Sequence, residues 1–253
     1  MRFLLIGCGL LVRELSDAIT HSPHLIDVKF LPAGLHNSGG QPMRERLQQE
    51  IDSTDCSHYD AILLGYALCG MGLAGLRAAD IPLVAARAHD CITLLMGSRE
   101  KYDEYFKANS GVYFRSVSWT ERAAEMHDQL PANGLSQDRA QLVARYGEEA
   151  GQYLYEEATR YQRSYSKLTY IRTGMDFEDT FAAQAQAEAK EKQWSYEEFA
   201  GCLTLFRRLL QGNWDSDFLI VPPHHRIAAT YDENILRTDP PVDTKPVSHP
   251  RPE

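Results

Sequence analysis

Two stretches of sequence decide the fold, Asp60-Ala-Ile-Leu-Leu-Gly-Tyr-Ala-Leu-Cys-Gly-Met-Gly72 and Ile81-Pro-Leu-Val-Ala-Ala-Arg-Ala-His-Asp-Cys91. Each contains a short apolar run next to glycine or proline, which is typical of a strand that is buried on both faces of a parallel sheet. Each run leads within a few residues to a cysteine, Cys69 or Cys91. We therefore expect both cysteines at the carboxyl edge of an open sheet, where α/β proteins bind ligands.

The rest of the chain extends this pattern in both directions. Strands are predicted at Arg2–Ile6, Val28–Leu31, Ala61–Leu64, Leu83–Ala86, Gly111–Arg115 and Phe218–Val221. Helices are predicted at Leu11–Thr20, Pro42–Ser53, Leu73–Ala79 and Cys91–Ala108, the last with a break at Gly97. The alternation predicts an α/β fold, with a mostly parallel open sheet flanked by helices and a helical insertion in the C-terminal half.

Four segments follow from the same patterns. Residues 1–118 form the α/β core with the cysteine-bearing corners, and residues 119–211 are predicted to be a mainly helical insertion. Residues 212–238 hold the last core strand and a His/Arg corner, and residues 239–253 are proline-rich and expected to be disordered. Within the insertion the pattern predicts a strand at Lys167–Arg172 and helices at Glu121–Gln129, Gln137–Arg163, Glu178–Lys192 and Tyr196–Leu210.

Composition excludes several classes of protein. The chain has 253 residues and a net charge of −9, which disfavours binding to nucleic acid. It has no signal-like segment and no apolar stretch of membrane-spanning length, so we expect a cytoplasmic protein. Its five cysteines, an odd number in such a chain, favour metal or thiol chemistry over a disulfide framework.

Three cysteines form the candidate metal site. Cys8, in a Gly-Cys-Gly turn, follows a strand as Cys69 and Cys91 do, so the three predict a zinc or three-cysteine [4Fe–4S] centre with one open position. Their spacing is not a CxxC pattern, and small buried residues at tight corners are the alternative. Cys56 and Cys202 lie outside such corners and are expected to be structural.

His89 and Asp90 are the candidate catalytic residues. If an extended conformation continues beyond Ala86, then Arg87, His89 and Cys91 point to the same side, because alternate residues of a strand share a face. A Cys91 thiolate beside a protonated His89 is also a candidate nucleophile without any metal. The alternative is that the strand ends near Ala86 and these residues spread around a turn.

Four further residues are candidates for binding a substrate, and three of them are arginines, whose forked guanidinium suits carboxylate or phosphate. They are Arg87, Arg99, Arg226 and His36. A small anionic substrate is therefore expected. The tandem His224 and His225 after a double proline fit either a metal site or an exposed loop.

The same motifs resemble a family of bacterial and archaeal proteins, the domain of unknown function 1638 (DUF1638). The matching pieces are Gly7-Cys-Gly9, Leu64-Gly-Tyr-Ala-Leu-Cys-Gly-Met-Gly-Leu-Ala-Gly-Leu76, Arg87-Ala-His-Asp-Cys-Ile92, Leu95-Met-Gly-Ser-Arg-Glu100 and Val221-Pro-Pro-His-His-Arg-Ile227. The family pattern has Gly, Asn and Gly where this chain has Ala67, Met71 and His224, which weakens His224 as a ligand. Members look to be encoded among corrinoid-dependent methyl-transfer proteins, so the resemblance implies one-carbon metabolism.

The leading hypothesis is a metal-dependent enzyme that acts on a small molecule in corrinoid-linked methyl or thiol metabolism. The alternative is a non-catalytic metal or corrinoid chaperone that docks a corrinoid methyltransferase protein. A chaperone would expose its cysteines, whereas an enzyme would enclose them around an open metal position. The Tyr-rich helices of the insertion indicate a subdomain or a homodimer face.

Overall fold

A five-stranded sheet lies at the centre of the computed structural model, which describes residues 1–35, 39–122, 139–160 and 164–241. Its strands are β1 (Arg2–Cys8), β2 (Leu25–Leu31), β3 (Ala61–Gly65), β4 (Leu83–Ala86) and β8 (Phe218–Val221). They are arranged in the order β2-β1-β3-β4-β8, and all neighbours are parallel except β8, which is antiparallel to β4. The predicted α/β fold with a mostly parallel sheet is confirmed.

The strand order reverses beside β1, and this positions the candidate site. The chain passes from β1 outward to β2 and then returns to the other side of β1 for β3 and β4, so the loops after β1 and β3 diverge. Helix α1 (Val12–Thr20) packs here, and its Leu15 lies so close to Gly65 that a Cβ at that glycine would be 2.8 Å from the leucine Cδ1. In open α/β sheets a crevice between diverging loops is the usual place for a ligand.

Helices alternate with the strands along the described part of the chain. They include α2 (Gly40–Asp52), α3 (Cys91–Met96), α4 (Arg99–Ala108), α5 (Val117–Glu121), α6 (Arg139–Tyr146), α7 (Glu148–Thr159), α8 (Thr180–Glu191) and α9 (Thr204–Leu210). The predicted break in the helix from Cys91 to Ala108 is confirmed, because Gly97 ends α3 with a φ of 75°. Every residue of β3 and β4 is buried, as the continuous apolar runs predicted.

A second sheet lies in the C-terminal half. It is fully parallel, in the order β5 (Val112–Arg115), β6 (Lys167–Arg172) and β7 (Ser195–Ala200). The prediction of a helix at Tyr196–Leu210 is wrong in its first part, because residues 195–200 pair with β6 and only residues 204–210 are helical. The insertion predicted as mainly helical thus contributes two strands to this sheet.

The connection between β3 and β4 also differs from the prediction. No helix forms at Leu73–Ala79, because this segment gives its hydrogen bonds to the C-terminal part of the chain instead. Gly75 N donates to Ile227 O at 2.7 Å, and Ile227 N donates to Leu76 O at 2.8 Å. Residue Ile227 belongs to β9 (Arg226–Ala229), which forms an antiparallel pair with β10 (Leu236–Asp239).

Some predictions lie outside the described residues. Most of the helix predicted at Glu121–Gln129 and most of the tail predicted to be disordered fall on residues 123–138 and 242–253. Among the helices of the described ranges, none has the length and apolar character that crossing a membrane requires.

Candidate functional site

Three strand ends bring Cys8, Cys69 and Cys91 to one cavity. Cys8 is the last residue of β1, Cys69 follows β3 by four residues, and Cys91 is the first residue of α3 after β4. The cavity has a volume of about 10 Å³, which is room for roughly one water molecule. Its other walls are an aromatic ring and aliphatic or thioether side chains, from Leu10, Leu11, Leu35, Met43, Tyr66 and Ala67.

Backbone hydrogen bonds hold Cys69 next to the Cys91 corner. Leu68 N donates to Ala88 O at 3.0 Å, and Cys69 N donates to His89 O at 2.9 Å, so the pairing of β3 with β4 continues into the loops. The φ of Cys69 is 39° and that of Met71 is 72°, in the left-handed region that side chains rarely adopt. Such backbone is often found at functional sites, where the surrounding structure holds it in place.

Cys69 and Cys91 shift each other's pKa in opposite directions. The pKa of Cys69 is lowered, because its sulfur accepts a hydrogen bond from Cys91, and this outweighs the effect of burial. The same hydrogen bond, together with burial, raises the pKa of Cys91 well above its ordinary value. Cys69 is therefore the more acidic sulfur of the pair.

Cys8 and Tyr66 complete the polar lining. Burial raises the pKa of Cys8 to about 12, while the positive charge of Arg122 opposes this effect. The Tyr66 side chain is 3% exposed, and burial together with the neighbouring Cys8 and Cys69 raises the pKa of its phenol. The Tyr66 hydroxyl lowers the pKa of the nearby Cys8 thiol, and no atom of the described residues meets hydrogen-bond geometry with this buried hydroxyl.

The geometry of the thiols bears on the metal hypothesis. Within the described ranges, no three His, Cys, Asp or Glu side chains are already placed as a metal-binding group. The three cysteines nevertheless share one cavity, and all five cysteines of the chain are free thiols. The metal site therefore stays a prediction.

Asp90 has a structural role that is visible in its contacts. Its Oδ1 accepts a hydrogen bond from Thr93 N at 3.1 Å, so it caps the N-terminus of α3. Its Oδ2 accepts a hydrogen bond from the Tyr102 hydroxyl at 2.8 Å. Both carboxylate oxygens thus orient the helix that begins with Cys91.

Arg87, His89 and Cys91 do not share a pocket, so the expectation that they point together is wrong. The strand ends at Ala86, and Arg87 turns away to donate from Nη1 to the carbonyls of Asn234, at 3.0 Å, and Leu236. Burial and the nearby Arg99 lower the pKa of Arg87. The His89 side chain is exposed and stacks on Tyr102, with 6.2 Å between ring centroids.

His89 and Arg99 line a second, separate cavity of about 240 Å³, together with Thr93, Glu100, Tyr102, Asp103, Glu233 and Ile235. Arg99 also forms an ion pair with Asp217 at 3.0 Å. Arg226 lies in β9 and lines neither cavity, while His36 lies outside the described residues. Among the described candidates, none of Arg87, His89, Arg99 and Arg226 lines the cysteine cavity. The catalytic and binding roles of all these residues stay predictions.

The other cysteines and the tandem histidines lie elsewhere. The Cys202 sulfur contacts Thr204 Oγ1 at 3.2 Å, and the Cys56 sulfur donates to Thr54 O at 3.6 Å. His224 is exposed, 3.6 Å from Asp80, and His225 bonds the Pro223 carbonyl at 3.0 Å through Nδ1. Neither pair lines the cysteine cavity.

Sequence reasoning missed Tyr66 and Arg122. Tyr66 stands one residue after β3, so its position after a buried strand was a signal that could have identified it. Arg122 follows α5, far from the cysteines in sequence, and no local pattern links it to Cys8.

Comparison with known proteins places the chain in a family. A search of curated proteins finds no match, and a search of solved structures finds none either. The family model described as "Protein of unknown function (DUF1638)" matches residues 30–210, which is more than half of the chain and includes Cys69, Cys91 and Tyr66. The chain therefore belongs to the DUF1638 family.

Proposed function

We propose that Cys8, Cys69 and Cys91 bind a metal centre with one open position, and that the protein is an enzyme that uses this centre on a small molecule. The observation that carries the proposal is the meeting of three thiols, from three strand ends, at one cavity beside the reversal of strand order. Thiolates are strong ligands for zinc, and three protein ligands leave the fourth position for water or substrate.

The size of the cavity favours a single ion over a cluster. A space of about 10 Å³ suits one ion with Zn–S bonds of ~2.3 Å, whereas a [4Fe–4S] cluster would require the three corners to move apart. Metal binding would also displace the Cys91 proton, because cysteines bind metal ions as thiolates. Zn²⁺ is therefore the preferred candidate, and the iron–sulfur centre is the alternative.

The enclosed position of the thiols favours an enzyme over a chaperone. Cys8 is 7% exposed, and Cys69 and Cys91 are half-buried, whereas a protein that hands metal to a partner needs accessible ligands. A metal held by soft thiolates suits the activation of a thiol or a methyl group. The corrinoid-linked methyl transfer that the family resemblance implies would use the same chemistry. The proposed partner is a corrinoid methyltransferase protein. The proposed location is the cytoplasm, because a reducing compartment keeps thiols free.

Metal analysis of protein purified without oxygen, and then dialysed against zinc, tests this function. We expect about one zinc ion per chain, since a single three-cysteine site is proposed. The Cys8→Ser, Cys69→Ser and Cys91→Ser variants should each lose most of it, because one thiolate ligand is missing. Visible absorption of the protein as isolated would instead indicate the iron–sulfur centre.

Two matched variants serve as controls. Cys56→Ser and Cys202→Ser also remove one thiol each, but outside the cavity, so both should retain the full metal content. A Cys69→Ser protein that keeps its metal, or a wild-type protein that binds none under these conditions, would refute the proposal.

A further inference from the structure

Strand β2 lies at one edge of the five-stranded sheet. Among the described residues it pairs only with β1, in a parallel register that runs from Leu25 to Leu31. Two of its apolar side chains are exposed, Leu25 to 58% and Val28 to 41%. An exposed edge of this kind is a template for pairing with a further strand, and natural proteins usually cover or interrupt it.

The backbone of β2 presents hydrogen-bonding groups along this edge. Leu25 N donates to Met1 O at 3.1 Å, so the polar backbone groups of Leu25 point towards β1. Such groups alternate in direction along a strand, so those of Ile26, Val28 and Phe30 point away from the sheet. Three alternate positions of β2 can therefore bond an added strand.

Two residues of opposite charge flank Val28 in the sequence. Asp27 and Lys29 lie on one face of the sheet, because alternate residues of a strand share a face. Each has an ion-pair partner in its own chain, Arg2 at 2.6 Å from Asp27 and Glu50 at 3.2 Å from Lys29. Both side chains remain partly exposed, so each can also contact a charge on an added strand.

We propose that β2 pairs antiparallel with β2 of a second copy of this chain, with the two Val28 residues opposite each other at a two-fold axis. The outward groups of Val28 would then exchange both hydrogen bonds with those of the second copy. In this register Asp27 lies opposite Lys29 of the second copy, and Ile26 lies opposite Phe30. The interface is isologous, so each of these contacts occurs twice.

Charge selects this register over its neighbours. A two-fold axis at Asp27 would place two carboxylates directly opposite each other, and an axis at Lys29 would do the same with two ammonium groups, which is destabilising. With the axis at Val28, charges alternate in sign, from Arg2 and Asp27 of one copy to Lys29 and Glu50 of the other. The edge is thus complementary to itself, which favours a second copy over an unrelated strand.

Analytical ultracentrifugation of the full chain tests the inference. We expect a dimer that dissociates on dilution. Lys29→Glu and Asp27→Lys should each raise its dissociation constant about tenfold or more, because two attractive cross-strand pairs become repulsive. An equimolar mixture of the two variants should dimerise as the wild type does, because each introduced charge then faces its opposite. This rescue would not follow from damage within one chain.

Val28→Pro provides a test that is independent of charge. Proline lacks the N–H that points away from the sheet at this position, so pairing with β1 is kept while both hydrogen bonds at the two-fold axis are lost. The variant should be folded, as judged by circular dichroism, and monomeric where the wild type is dimeric. The matched control is Lys101→Glu, which makes the same charge change at an exposed residue of α4 and should leave the dimer unchanged.

Two outcomes would overturn the inference. One is a wild-type protein that stays monomeric at about 100 μM, a concentration at which even a weak specific dimer is populated. The other is a dimer that withstands the changes at residues 27, 28 and 29, which would place the interface elsewhere, as on the Tyr-rich helices. None of these three residues lines either cavity, so metal content should not change and the result is separate from that for the proposed function.

Discussion

Glu14 is a fully buried carboxyl group away from the cysteine cavity. Its side chain, in α1, accepts hydrogen bonds from the hydroxyls of Ser118 at 3.0 Å and Thr173 at 3.1 Å. Burial raises the pKa of Glu14, because the charged form loses its water and the two hydroxyls only partly compensate. The folded state therefore holds the proton of Glu14 more tightly than the unfolded state does.

The pH dependence of stability follows from this shift. With its folded pKa raised, Glu14 contributes stability below its ordinary pKa, and that contribution is lost as the pH rises through the folded value. Replacing Glu14 with Gln keeps a neutral side chain of the same shape. We expect Glu14→Gln to be more stable than the wild type at neutral pH and equally stable near pH 4, as measured by urea unfolding.

A control separates this effect from a general change in charge. Glu104→Gln makes the same change of charge at an exposed residue of α4. If Glu14→Gln and Glu104→Gln shift the unfolding midpoint equally across the pH range, the buried carboxyl does not control stability.

Helix α3 depends on Asp90 for its first turn. It is only six residues long, Cys91–Met96, and a short helix gains little from its own hydrogen bonds. Asp90 accepts from Thr93 N and from the Tyr102 hydroxyl, which ties the start of α3 to α4. Since Cys91 is the first residue of α3, this cap also sets the position of its thiol.

Changing the cap separates a structural role of Asp90 from a catalytic one. Asp90→Ala should lower the free energy of unfolding by about 1 kcal/mol and weaken metal binding, because the first turn loosens. Asp90→Asn, which keeps a capping oxygen, should retain most of the stability and the metal. If Asp90→Asn preserves both and yet abolishes turnover, the carboxylate has a catalytic role.

The described residues form two apolar cores of unequal size. The larger one surrounds the five-stranded sheet and includes all of β3 and β4 except Gly65. The smaller one lies on the second sheet and consists of few and mostly small buried side chains, from Val117, Leu168, Tyr170, Ala182, Ala185 and Ala189. Less apolar burial means less free energy to oppose local opening.

Native-state hydrogen exchange should reveal this difference. The comparison uses the backbone amides of Leu63 in β3 and Thr169 in β6, because each residue lies in the central strand of its sheet. We expect Thr169 to exchange through an opening of lower free energy, with a smaller dependence on urea, than Leu63. Equal free energies and equal slopes for the two amides would mean that the chain opens as one unit.

Local patterns in the sequence were sufficient for the fold class and for part of the site. The runs at Ala61–Leu64 and Leu83–Ala86 predicted buried strands, because a strand covered on both faces needs an apolar residue at every position. The position of a cysteine after each of three strands predicted that Cys8, Cys69 and Cys91 lie at one sheet edge. They do share a cavity there.

Long-range partners decided what local patterns could not. The segment Leu73–Ala79 has a helical pattern, yet it bonds to β9, and residues 195–200 form a strand because the edge of β6 offers hydrogen bonds. Likewise Arg87 turns away from the cysteines because carbonyls of residues 234 and 236 lie nearby. Periodicity along a chain reports which face of an element is apolar, but not which distant backbone will satisfy its polar groups. The strand order, the place of Tyr66 and the separation of His89 from the thiols therefore became clear only in the tertiary structure.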